Sequence, residues 1–180
     1  MKAIFDTSSL HALCKYYIPL DKSGNLKKLI ELEIAAGNII IIDAVFNEAR
    51  GLGGGVIINT LTFITTKKYH TRTDNIAPTP DFFTHLNGAF INQKVVTDRK
   101  ITPTEVQQTK NKYPNLADGR LLIFCQSILS DNPIIVTEES RLLNDGKIIK
   151  KIPINCDVLG LKCCTLPEFL VNSYNAKIVI

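Results

Sequence analysis

Four consecutive isoleucines, residues 39 to 42, constrain the fold of this chain more than any other stretch. A strand with one face in water alternates apolar and polar side chains, whereas this run presents apolar side chains on both faces. Strands of that kind lie in parallel sheets that helices cover on both sides. The run ends on Asp43, which we interpret as the N-cap of the helix that "AVFNEARG" predicts. The stretch therefore favours an α/β protein.

The neighbouring segments continue this alternation of strands and helices. Residues 2 to 5 predict a buried first strand, and the next helix is expected to start at Ser8 or Ser9 and to be closed by Pro19. Residues 23 to 36 have the apolar period of an amphipathic helix. This order of elements predicts three layers, α/β/α, with a central, mainly parallel sheet.

The last third of the chain gives the same type of pattern. Asn115 is expected to cap a long helix, whose inward-facing side chains are predicted to be Leu121, Leu122, Cys125, Ile128 and Leu129. "NPIIVTEES" predicts a short buried strand, "LKCCTL" a last strand and "PEFLVNSY" a short helix. These elements extend the predicted sheet by two strands.

Residues 52 to 113 form an enlarged middle segment, and the pattern of its first part fits a strand and a helix equally. Two helices are predicted further on, one after Pro80 and one that begins at Thr102, where Glu105 completes a capping-box pattern. The length of 180 residues suits a single domain, 1–180, that includes this segment.

Composition excludes several classes of protein. Hydrophobic residues make up 45% of the chain and charged residues 21%, which is ordinary for a globular protein and not for a disordered one. The net charge of +4 neither indicates nor opposes nucleic-acid binding. Five cysteines without a C-x-x-C pair or zinc spacing predict reduced thiols and a cytoplasmic location. We expect no signal peptide and no membrane span.

Acidic side chains recur where predicted strands end or the following helices begin. Asp6 follows the first strand, Glu48 lies early in the helix after the isoleucine run, and Asp118 lies in the first turn of the long helix. Glu138 and Glu139 follow the next strand. Because the carboxyl ends of parallel strands share one edge of the sheet, these carboxylates are expected to meet there. Hard oxygen ligands without His or Cys favour Mg²⁺ or Mn²⁺, and such a site suits phosphodiester hydrolysis.

Each acid also has an ordinary structural interpretation. Asp6 can simply cap the helix that follows it. Glu48 and Asp118 can be acids favoured by the positive end of a helix dipole. One of Glu138 and Glu139 is expected to be only solvated. The shared position of the acids at one sheet edge, rather than any single residue, supports the metal site.

Four short motifs carrying these acids resemble the PIN domain family of metal-dependent nucleases. "IFDTSSL" is similar to the opening strand of that family, "IDAVFNEA" to the segment with its second acid, and "LADGRLLIFC" to its third-acid motif. "IIVTEES" resembles the T-x-D end of a later strand, with Glu139 where the usual Asp stands. The tail "KKIPINC…LGLKCCTLPEFL" is like that of a bacterial subfamily. The resemblance covers residues 1 to 50 and 114 to 170.

This resemblance implies an endoribonuclease that uses Mg²⁺ or Mn²⁺ to cut single-stranded RNA. It implies catalytic acids Asp6, Glu48, Asp118 and Glu139, with Glu138 as the alternative fourth ligand, and Thr137 as the residue that orients the ligands. A homodimer is expected, and a VapC-type toxin neutralised by an antitoxin protein is one form that such an enzyme takes. The alternative is a non-catalytic PIN-like module that binds RNA or protein.

Basic side chains near the predicted ligands are candidates for contacts with substrate phosphates. Arg50, Arg120 and Arg141 each lie close in sequence to one of the acids. The ordinary interpretation of each is a solvated side chain. "GLGGGV" is not a phosphate loop, because it follows a helix and lacks the G-x-x-x-x-G-K-[ST] pattern.

Overall fold

The isoleucine run forms an interior strand of a parallel sheet, next to one of its edge strands. The computed structural model describes residues 2–143 and 145–174. The strands are β1 Ala3–Phe5, β2 Ile39–Ile42, β3 His70–Thr71, β4 Ile134–Val136 and β5 Lys162–Cys164. They lie in the order β3-β2-β1-β4-β5, every neighbouring pair is parallel, and helices cover both faces. The predicted α/β/α architecture with a mainly parallel sheet is therefore confirmed.

Helices account for most of the remaining described chain. They are α1 Thr7–Ala12, α2 Ile18–Leu20, α3 Asn25–Ala35, α4 Asp43–Gly51, α5 Val56–Thr60, α6 Pro80–Asn87, α7 Gln93–Asp98, α8 Pro103–Lys112, α9 Ala117–Ser127, α10 Ile152–Leu159 and α11 Leu166–Tyr174. A π-helical turn, Leu13–Tyr17, joins α1 to α2. The helices α7 and α10 have no counterpart in the sequence prediction.

The first helix differs from its prediction at both ends. Its N-cap is Asp6, whose carboxylate accepts the amides of Thr7 and Ser8, so the helix starts before Ser8. Pro19 does not stop it, because the chain widens into the π turn and Pro19 then lies in the first turn of α2. Proline is tolerated in a first turn, where its missing N–H has no helical partner to lose.

The start of α9 also differs from its prediction. Asn115 lies in a short 3₁₀ turn, Tyr113–Asn115, and Leu116 is the N-cap without a side-chain bond. Leu129 is exposed rather than inward-facing, because α9 ends at Ser127 and a second 3₁₀ turn redirects the chain. The inward positions earlier in α9 are buried as expected, Leu121, Leu122 and Cys125 among them.

The middle segment packs against the same core as the sheet. The aromatic rings of Phe82, Phe90 and Tyr113 contact one another within that core. Both helices predicted in the segment are present, with Thr79 as the cap of α6 and a complete capping box at α8. Its ambiguous first part is the short helix α5 followed by 3₁₀ turns, and β3 adds an edge strand beside β2.

The structure can be compared with two further predictions, one about membrane spans and one about the cysteines. Within residues 2–143 and 145–174, no helix is both long enough and apolar enough to cross a membrane. All five cysteines are free thiols, three of them buried and two half-buried.

The strand order places a ligand crevice between β1 and β4. From β1 the sheet extends one way through β2 to β3 and the other way through β4 to β5. In open parallel sheets, such a switch point at the carboxyl ends of the strands is where ligands bind. Phe5 and Val136 are register partners, so Asp6 and Thr137 leave the two strands side by side.

A glycine next to Asp118 sets the position of that acid. A Cβ added at Gly119 would lie 2.0 Å from the Tyr113 carbonyl oxygen, so α9 presses directly against the preceding turn. We expect Gly119→Ala to destabilise the fold by about 3 kcal/mol, because the clash is with backbone. Gly51→Ala at the end of α4 is the matched control, since no atom lies within 4 Å of the added methyl group. Urea denaturation measures both changes, and equal stability of the two variants would contradict the prediction.

Candidate functional site

Asp6 is held rigidly where β1 ends. It is buried, and its Oδ1 accepts the Thr7 amide at 2.6 Å. Its Oδ2 accepts the Ser8 hydroxyl at 2.6 Å, the Ser8 amide at 3.3 Å and the Thr137 hydroxyl at 2.9 Å. Asp6 is thus the helix cap that the ordinary interpretation proposed, and it also lies at the switch point of the sheet.

Two hydroxyl groups join the ends of β1 and β4. Ser8 and Thr137 each give their proton to Asp6, and their oxygens lie 3.1 Å apart. Each oxygen also accepts a backbone amide from the end of β4, Ser8 that of Glu138 at 3.0 Å and Thr137 that of Glu139 at 3.2 Å. The network fixes where the two glutamates leave the strand.

Glu48 reaches the same place from α4. Its side chain is exposed, and its carboxylate accepts the hydroxyl of Thr7, the residue after Asp6. The strand β2 lies beside β1, and α4 follows β2 directly. A residue in the second turn of α4 therefore lies near the carboxyl end of β1.

Asp118 carries the electrostatic signature of a crowded acidic site. Burial raises its pKa to about 7, and the charges of Asp6, Glu139 and Glu48 add to the rise, while Lys147 opposes it. Carboxylates that repel one another in this way make proton uptake, or a bound cation, favourable. The structure therefore brings acids from four separate segments within electrostatic reach of each other.

Glu138 and Glu139 have different environments. Glu139 accepts the amide of Ile152 at 2.8 Å, and its other oxygen lies 3.8 Å from the Lys147 ammonium. Glu138 accepts the amide of Leu166 at 2.7 Å, at the start of α11. Of the two glutamates, Glu139 is the one whose charge contributes to the raised pKa of Asp118. This favours Glu139 over Glu138 as a partner of the other acids.

The acids share a cavity of about 750 Å³. Its acidic side is formed by Asp6, Glu48, Asp118, Glu138 and Glu139. A second cavity of about 850 Å³ lies next to it and shares Glu48, Asp118, Glu139 and Lys147 with it. The two cavities thus meet at the acids, and a ligand longer than one cavity has space on both sides of them.

The donor set fits a hard divalent ion by its chemistry, since every candidate ligand is a carboxylate oxygen. With the side chains as they stand, no three His, Cys, Asp or Glu residues of 2–143 and 145–174 are grouped closely enough to hold a metal ion. In this arrangement Glu48 accepts a hydroxyl and Glu139 accepts an amide. Glu48 is exposed and Glu139 is half-buried.

The three candidate arginines lie in different settings. Arg120 is buried, and it donates to the Thr73 hydroxyl at 3.3 Å and the Ile76 carbonyl at 3.0 Å, which ties the middle segment to α9. Arg141 is exposed and forms two bonds of 3.1 Å with Asp157. Arg50 is exposed on α4. Arg120 lines the second cavity, whereas Arg50 and Arg141 line neither cavity, and phosphate contacts by all three stay a prediction.

Asp43 differs slightly from its prediction as an N-cap. It is the first residue of α4, and Ile42 is the cap. Its carboxylate accepts the hydroxyl of Thr73 at 2.6 Å and the amide of the same residue at 3.2 Å, so it anchors the middle segment beside β2.

Several lining residues were not predicted from the sequence, among them His11, Tyr16 and Lys147. His11 lies one helical turn after Ser8, so the period of α1 was an available signal. Lys147 follows Gly146, whose φ is +68°, and the D-G pair indicated a turn there but not that the turn lies at the cavity.

Comparisons with known proteins add no further identification. No family model, no curated protein and no solved structure matches the chain. The resemblance of its motifs to the PIN family therefore stays a prediction.

Crowding of the acids predicts an unusual effect of an amide substitution on stability. The folded-state pKa of Asp118, about 7, lies above its ordinary value of 3.8, so the stability of the metal-free protein falls as pH rises from about 4 to about 7. Asp118→Asn removes the charge, and we expect it to stabilise the metal-free protein at pH 8 by about 1–4 kcal/mol.

The difference between Asp118→Asn and the parent protein is expected to vanish below pH 4. Urea denaturation in EDTA at several pH values measures it. Asp98→Asn, on the exposed end of α7, is the control and is expected to change stability by less than about 0.5 kcal/mol. A destabilised Asp118→Asn protein at pH 8 would contradict the crowding.

Proposed function

We propose that this chain is an endoribonuclease that uses Mg²⁺ or Mn²⁺ to hydrolyse phosphodiester bonds in single-stranded RNA. One observation carries the proposal: Asp6, Glu48, Asp118 and Glu139, from four separate segments, line one cavity at the carboxyl edge of a parallel sheet. The resemblance of the same four segments to the PIN family supports it independently. An anionic substrate needs cations at such a site, because the acids alone repel it.

Asp6, Glu48, Asp118 and Glu139 are the residues that would hold the ion. When bound there, a divalent ion would supply Lewis acidity towards the phosphate and would activate a water molecule. Thr137 and Ser8 orient Asp6, because both hydroxyl protons are directed at its Oδ2. Burial of Asp6 and partial burial of Asp118 limit the water around them, which strengthens their interaction with any cation.

Lys147 places a positive charge where the two cavities meet. Its ammonium group lies 3.8 Å from Glu139, and its side chain is largely exposed. Its charge also lowers the pKa of Asp118, so the ammonium group lies beside two of the acids. It is thus positioned to bind a non-bridging oxygen of the RNA backbone, which is the commonest type of protein–nucleic acid contact.

A second candidate function is a PIN-like module without catalysis. The observation that favours it is the internal neutralisation of the acids: Thr7 binds Glu48, and Ile152 and Lys147 bind Glu139. In such a module these contacts persist at millimolar metal, and RNA or protein binds without being cut.

Cleavage of unstructured RNA by the purified protein tests the proposal. We expect cleavage in Mn²⁺ or Mg²⁺ that EDTA abolishes and that Asp118→Asn lowers at least about 100-fold. Because the same substitution is expected to stabilise the metal-free fold, lost activity cannot be attributed to unfolding. Asp98→Asn is the control with full activity.

Thermal denaturation in Mn²⁺ separates the two candidate functions. A nuclease is stabilised by the ion, by about 2.7 kcal/mol at a hundred times its dissociation constant, and Asp118→Asn loses that gain. Absence of stabilisation at millimolar Mn²⁺, together with absence of cleavage, would replace the nuclease by the non-catalytic module. Cleavage that persists in excess EDTA would refute the metal mechanism.

The two neighbouring glutamates provide a matched pair. We expect Glu139→Gln to lower kcat at least about 100-fold, because Glu139 shares the electrostatic environment of Asp118. Glu138→Gln is expected to lower kcat less than about 5-fold, because its carboxylate binds the start of α11. Single-turnover cleavage in Mn²⁺ measures both, and the reverse order of effects would assign the fourth ligand to Glu138.

Three further proposals rest on the family resemblance. The nuclease would act as the toxin of a toxin–antitoxin pair, with an antitoxin protein as its partner and a homodimer as its functional form. A cytoplasmic location is a separate proposal, which the five free thiols support because they suit a reducing compartment.

A further inference from the structure

The cavity that holds the acids is also lined by apolar side chains, which we call its apolar wall. Tyr16, Tyr17, Leu20 and Leu52 line this wall. Tyr16 is 52% exposed, Leu20 50% and Leu52 43%, although large apolar side chains of this chain are mostly buried. The wall and the acids belong to the same cavity, so one ligand has access to both.

The π turn determines which side chains form this wall. A π turn takes one residue more than an α turn, and such turns occur often at functional sites. The Ile18 amide bonds to the Leu13 carbonyl, five residues back, and Tyr16 and Tyr17 of this turn line the cavity together with His11. Two adjacent aromatic rings at one cavity are the consequence.

The two rings differ in freedom. Burial and the charge of Glu138 raise the pKa of Tyr17, which is half-buried beside the acids. Tyr16 is half in water, and the Lys15 ammonium lies over its ring at 5.3 Å from the centroid. Tyr16 lines the cavity and Lys15 does not, so Tyr16 is accessible to a ligand in the cavity.

We propose that Tyr16 stacks on an unpaired base of single-stranded RNA next to the phosphate that is cut. This inference rests on the proposed nuclease function and names the feature of the substrate that the site recognises. The Tyr16 ring and the neighbouring Lys15 ammonium group match the two parts of a nucleotide, because a flat base stacks on an aromatic ring and an anionic phosphate binds a cation. A base in a duplex stacks on its neighbours and is paired, so the ring selects single strands.

Binding, rather than cleavage, tests the inference. In this test the parent is the Asp118→Asn variant, into which the other substitutions are introduced. The probes are a fluorescent ten-nucleotide single-stranded RNA and a strand of abasic ribose phosphates of equal length. We expect the parent to prefer the RNA, Tyr16→Ala to weaken RNA binding about 10-fold, and Tyr16→Phe to bind within about 3-fold of the parent. Binding of the abasic strand is expected to be the same in all three proteins.

Phe83→Ala is the matched control, because Phe83 is an exposed aromatic residue of α6 that lines neither cavity. It is expected to bind RNA like the parent. Equal RNA binding by Tyr16→Ala and the parent would overturn the inference. If Tyr16→Ala instead changes self-association in sedimentation velocity while RNA binding is unchanged, the wall is a protein interface and the inference is wrong.

Failure of the inference and failure of the proposed function are distinguishable. If the protein without Asp118→Asn cleaves RNA and Tyr16→Ala does not weaken RNA binding, only the stacking is refuted. RNA binding that depends on Tyr16 in a protein that never cleaves RNA refutes the nuclease and supports stacking in a binding module.

Discussion

The carboxylate of Asp6 is the interaction on which the arrangement of the site depends. It ends β1 in the interior, where an unpaired charge is costly to desolvate. Four hydrogen-bond donors compensate it, two of them hydroxyls of Ser8 and Thr137. Because those hydroxyls also accept the amides of Glu138 and Glu139, one buried charge holds the ends of two strands in register.

The acids around Asp6 lower the stability of the metal-free fold, because they repel one another. Burial, with the charges of three other carboxylates added to it, raises the pKa of Asp118 to about 7. The fold limits the cost with local partners, a hydroxyl for Glu48 and an amide and an ammonium group for Glu139. Repulsion that a protein tolerates at one cavity is typical of sites that bind a cation or a proton.

The middle segment supports the site from one side. Asp43 binds Thr73, and Thr73 accepts from Arg120, so the end of β2, the middle segment and α9 are joined by three side chains. This connection links α9, which carries Asp118, to the start of α4, which carries Glu48. The same segment contributes Thr73, Asp74 and Thr109 to the second cavity, which extends the space for a ligand beyond the acids. An enlarged middle segment is thus part of the site rather than an appendage.

Local chemistry was enough to determine much of this protein from sequence alone. A run of isoleucines cannot face water, so a parallel sheet between helix layers followed, and acids at strand ends indicated one acidic edge. Helix ends depended on partners distant in sequence, so the caps expected at Ser8 and Asn115 were wrong. Periodicity likewise cannot foresee a π turn, and it missed Tyr16 and Lys147 at the cavity. Only the tertiary structure decided which glutamate acts on Asp118. Glu138 and Glu139 are chemically identical, and only the directions of their side chains after β4 differ.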